Sequence, residues 1–144
     1  MSALVRKSLL VASLVALAGC SASASGSSSA GFSGPPYLTI LSASGKLRLD
    51  LWTSPQPPVR GTLSTELRIT SVEGGAPVDG LELAVVPWMP SMGHGSSVVP
   101  TVSETGNGTY IVSHLSLFMA GHWELQTSLS GTASDSATPA LDIP

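Results

Sequence analysis

Cysteine is almost absent: there is one in 144 residues, Cys20. No disulfide can close within the chain, and no cysteine-based zinc site can be written. Charge is also sparse, at 10% of residues. Arg6 and Lys7 lie close to the N-terminus, and the other four bases, Lys46, Arg48, Arg60 and Arg68, are scattered among nine acids. A nucleic-acid binder needs a clustered basic footprint to displace phosphate counterions, so nucleic acid is not an expected partner. Helical periodicity is missing beyond residue 20. Enzyme signatures are missing too: no Gly-x-Ser-x-Gly elbow, no carboxylate pair at a telling spacing, no Gly-rich loop leading from strand to helix. The expectation is a non-catalytic domain held by core packing alone.

What is present begins with an export signal. Arg6 and Lys7 form a positive n-region, and Leu9 to Leu17 form an apolar stretch too short to span a bilayer of about 30 Å. Leu17-Ala18-Gly19-Cys20 follows. The whole segment resembles a bacterial lipoprotein signal, in which the thiol becomes a thioether to diacylglycerol. Residues 1–19 are thus expected to be a signal peptide and Cys20 a lipidated anchor to the membrane. Each buried CH₂ of the acyl chains contributes about 0.8 kcal/mol. Ser21, rather than Asp, follows the cysteine. By the resemblance, this implies the periplasmic face of the outer membrane.

Residues 20–36 are dominated by Ser and Gly and read as a flexible tether of roughly 20–24 Å root-mean-square span. Period-two alternation then recurs: Leu47/Leu49/Leu51, Leu63/Thr65/Leu67/Ile69, Leu81/Leu83/Val85 and Trp123/Leu125/Thr127/Leu129. Residues 98–104 and 110–117 are β-branched or apolar-rich. Each run fits a strand with one face in a core. Asn107-Gly108 suits the positive φ of a tight hairpin, and Gly74-Gly75-Ala76-Pro77 breaks two runs. The predicted architecture is all-β: a small antiparallel immunoglobulin-like β-sandwich of six to seven strands over 37–130, followed by an irregular tail, 131–144.

Four segments carry a family resemblance. They are Gly75-Ala76-Pro77-Val78, Trp88-Met89-Pro90-Ser91-Met92-Gly93-His94-Gly95, Gly108-Thr109-Tyr110 and Phe118-Met119-Ala120-Gly121-His122-Trp123-Glu124-Leu125. Together they resemble a YtkA-like domain, a group similar to the periplasmic part of FixH-type proteins. The resemblance implies an immunoglobulin-like sandwich outside the cytoplasm. It also implies an association with assembly of a copper-containing oxidase, although this chain carries a lipoprotein signal where FixH-type relatives have a membrane helix.

Met89, Met92 and His94 lie within six residues, and Met119 and His122 within four. Thioether and imidazole suit Cu(I), so these five are the candidate metal ligands and copper the candidate cofactor. If the strands alternate up and down, both clusters emerge at one end of the sandwich. The other reading of the same residues is packing, with Met filling gaps against Trp88 and Trp123. His114, within a strand run, reads as a satisfied or exposed side chain. Two functions follow. One is a membrane-tethered periplasmic domain that handles copper. The other is an immunoglobulin-like adaptor that docks an envelope protein through its Met/Trp loop.

Overall fold

A computed structural model describes residues 31–144; the expected signal peptide, Cys20 and the expected tether up to residue 30 lie outside the described residues. Ten strands form two antiparallel sheets. Sheet A has the order β1-β2-β3-β7-β6, from β1 (Leu38–Leu41), β2 (Leu47–Ser54), β3 (Gly61–Ser71), β6 (Thr101–Gly106) and β7 (Thr109–Leu117). Sheet B has the order β10-β8-β4-β5, from β4 (Leu81–Met89), β5 (His94–Gly95), β8 (Gly121–Gly131) and β10 (Ala140–Ile143). The short β9 (Asp135–Ala137) also pairs with β8. The six runs are the six long strands. The alternating side chains meet between the sheets: Leu49, Leu67, Ile69 and Tyr110 from sheet A face Val85, Trp123, Leu125 and Leu129 from sheet B. The all-β sandwich expectation therefore holds.

Two boundaries are corrected. The tail expected to be irregular contains β9 and β10, and Ala137, Leu141 and Ile143 are core residues. Both strands add to one edge of β8, in consecutive stretches interrupted at Thr138-Pro139. Proline lacks the amide that a continuous ladder needs. The strand count is likewise ten rather than six or seven, because β1, β5, β9 and β10 are too short to show periodicity. Residues 34 and 35, assigned to the tether, are fastened to the domain. Trp52 Nε1 donates to the Gly34 carbonyl at 3.0 Å, and Gln56 Nε2 donates to the Pro35 carbonyl at 3.0 Å.

Strand register decides which loops share an end. Gly61 of β3 pairs with Leu117 of β7, and Ser64 pairs with Ser54 of β2. Loops 55–60, 90–93 and 118–120 therefore lie at one rim, together with the start of β8 and the end of β10. Loop 72–80 and the Asn107-Gly108 hairpin lie at the opposite end, where the Gly108 amide donates to Asp79 Oδ1 at 2.6 Å.

Candidate functional site

The first rim holds all five candidate ligands. β4 runs into it through Pro87, Trp88 and Met89, and Pro90 to Gly93 then turn the chain back. The amides of Met92 and Gly93 each donate to the Met89 carbonyl at 3.1 Å, which closes this turn. Gly93 takes φ 65°, a conformation that side chains disfavour. The chain returns as β5, with His94 paired to Met89 and Gly95 to Trp88. A Cβ at residue 95 would collide with the Pro87 carbonyl oxygen, so only glycine lets β5 close on β4 here.

The start of β8 packs against the first cluster at Met89. In β8 the odd residues Trp123, Leu125 and Leu129 face the core, and in β4 Leu81, Val85 and Met89 do the same. Met89 is 4% exposed. Its Cε sits only 2.7 Å from where a Cβ on Gly121 would be, so the glycine opens the space that the thioether fills. Trp123 Nε1 donates to the Met119 carbonyl at 2.9 Å and fixes the loop that presents Met119. Met119 and Trp123 border a cleft of about 190 Å³ whose other walls include Ser96, Val98, Ser116 and Phe118.

The five side chains differ in setting. Met92 and Met119 are 53% and 38% exposed, and His94 is exposed, with Nδ1 3.3 Å from the Gly95 carbonyl oxygen. Met89 belongs to the core. His122 precedes the inward-facing Trp123 and so points to the outer face of sheet B, where Nδ1 lies 2.8 Å from Asp142 Oδ1. β10 provides that partner, since Asp142 is opposite His122 in the ladder. With Nδ1 engaged by the carboxylate, Nε2 is left as the available lone pair. Carboxylate-held histidines of this kind are common at metal sites. Sequence reasoning missed Asp142, because it lies on a four-residue strand too short to show a period. It also missed the role of Gly121.

Among the described residues, no group of three or more His, Cys, Asp or Glu side chains could hold a metal. A metal at this rim would have to draw on the thioethers, and a soft donor set of that kind fits Cu(I) better than Zn²⁺ or Mg²⁺. His114, on β7, is apart from the rim cluster. It is exposed, takes φ 61° and sits where Ser113 and His114 oppose Ser64 alone.

No curated protein is similar enough to the chain to match it. Among solved structures, the chain superposes on FetP of uropathogenic E. coli strain F11, crystallised as isolated after expression in the periplasm of E. coli BL21(DE3). The TM-score is 0.47 and the identity 9%, over 75% of this chain and 91% of that one. The family model described as YtkA-like matches residues 42–128, from the turn before β2 to within β8 and through both Met/His segments, so more than half of the sequence is covered and this chain belongs to the YtkA-like family.

Proposed function

We propose that this is a lipid-anchored domain of the bacterial envelope that binds copper through the Met/His rim and takes part in copper handling. The anchor is Cys20, on the strength of the lipoprotein-type segment that ends there. The periplasmic face of the outer membrane follows from Ser21 after it. One observation carries the copper reading. Two sequence segments 25 or more residues apart bring thioether and imidazole groups to a single rim, with no cluster of harder ligands beside them. Met92, Met119 and His94 are the accessible donors. His122, oriented by Asp142, supplies a further imidazole on the adjoining outer face. Met89 packs beneath them and acts as support.

The test is a Cu(I) titration of the chain without residues 1–20 against a competing chromophoric chelator. Met92→Ala/His94→Ala/Met119→Ala should abolish competition while leaving the folded signal intact, because none of the three is buried. Asp142→Ala should weaken binding about 10–100-fold if His122 ligates, the usual cost of losing a carboxylate that orients a histidine. A wild-type chain that never competes for copper would end this reading. Separately, incorporation of labelled palmitate should be lost in Cys20→Ser.

A further inference from the structure

The rim is also where exposed apolar surface collects. Among the described residues nine large apolar side chains are exposed, and six of them lie at the rim or on the 96–100 crossover beside it: Val59, Met92, Val98, Val99, Phe118 and Met119. Val99 is 83% exposed and Phe118 67%. A soluble surface rarely gathers such groups at one end without something to cover them.

Two further observations indicate what covers them. The first is the point where the tether joins. Gly31 lies against Ser54, a Cβ there falling 3.2 Å from Ser54 Oγ, and Ser54 ends β2 at the same rim. Ten residues separate Cys20 from Gly31, which is at most about 40 Å of extended chain. An anchored cysteine therefore presents this end first to the lipid surface, at high effective concentration. The second is charge. The far end carries Glu73, Asp79, Glu82, Glu104 and Asp135 in its loops and strand ends, against Lys46, Arg48 and Arg68. The rim segments 54–61, 90–100 and 117–122 contain Arg60, His94 and His122 and no carboxylate, Asp142 on β10 being the nearest acid. Anionic lipid repels the far end and tolerates the rim.

We propose that the rim is a membrane-docking face, with Val99 and Phe118 entering the interfacial layer of the bilayer that holds the Cys20 lipid. The inference rests on the anchor part of the proposed function and is independent of copper. Docking would keep the Met/His groups at the bilayer surface, facing membrane-embedded proteins and not the open compartment.

The sequence supplies a clean test. Lipidation consumes the only thiol, so one introduced cysteine can be spin-labelled uniquely in the lipidated full-length protein. Val99→Cys and, at the far end, Val72→Cys would be compared on vesicles of phosphatidylethanolamine and phosphatidylglycerol. The label at 99 should show a several-fold higher ratio of oxygen to aqueous nickel-chelate accessibility than the label at 72. Phe118→Glu added to Val99→Cys should return the label to water. Equal, water-like ratios on a lipidated protein would overturn docking and leave the anchor standing. A wild-type chain whose Cys20 thiol takes up label would remove the anchor, and docking with it. Shielding at 99 that appears only after envelope proteins are added would overturn the bilayer as occupant in favour of a protein partner.

Discussion

Tyr110 shows how one side chain fastens a loop to the core. Its ring is fully buried, its hydroxyl donates to the Val78 carbonyl at 2.8 Å, and the Leu81 amide donates to that hydroxyl at 3.1 Å. Burial in this apolar setting pushes the phenol above its ordinary pKa. Tyr110→Phe leaves two backbone groups unpaired, and urea unfolding should show a loss of about 1–3 kcal/mol. Gly121 is a second such residue. Its φ of 127° is one that side chains disfavour, and a methyl group there would also push the Met89 Cε aside, so Gly121→Ala should destabilise by about 1–3 kcal/mol. Asp135 gives a pH dependence. Hydrogen bonds from Ser42 and Ser44, with the Ser136 amide, hold its carboxyl down to about 2 from 3.8, partly opposed by burial. The folded value lies below the unfolded one, so the contribution is complete above pH about 4 and lost as the pH falls towards 2. The residue is half-buried at the surface, and solvent screening limits the effect to less than about 1 kcal/mol. Acid unfolding of Asp135→Asn should be flatter than wild type in that window.

At the scale of elements, β7 shows where alternation alone misleads. Tyr110 and Val112 face the core, and then Leu115 and Leu117 do. The phase changes because Ser113 and His114 together oppose a single residue of β3, a β-bulge. His114 takes the left-handed conformation there, so His114→Gly should stabilise the domain by about 0.5–1 kcal/mol in the same unfolding assay. The phase change was legible in the sequence as Tyr-x-Val-x-x-Leu-x-Leu, whereas the reason for it needed the partner strand. Four of the six long strands were legible because each carries enough alternating residues to declare its period, and β6 and β7 because they are β-branched or apolar-rich. The edge strands were not. β5 has two residues, and β9 and β10 hide in a Ser/Thr/Pro-rich stretch whose strand character comes from pairing with β8. The same alternation that put Trp123 inside required His122 to face outward and Met89 inward. Of the five candidate ligands, alternation thus assigned two, Met89 inward and His122 outward. The exposure of Met92 and Met119, on irregular loops, had no period to reveal it.

At the scale of the whole molecule, strand parity brings the two Met/His segments to one end, and the tether reaches the domain at that same end. The far end is closed by Tyr110, Asp79 and the Asn107-Gly108 hairpin and carries the acidic loops. This polarity gives the sandwich one end for packing and solvation and another for its proposed work. The work proposed for the rim is copper coordination through sulfur and imidazole. X-ray absorption spectroscopy at the copper edge, on protein loaded with one equivalent of Cu(I), tests it most directly. The expected spectrum shows thioether sulfur together with imidazole nitrogen in the coordination shell, with the sulfur contribution reduced in Met92→Ala/Met119→Ala. A shell of nitrogen and oxygen alone, or copper that does not stay with the protein, would rule out copper coordination by the rim thioethers.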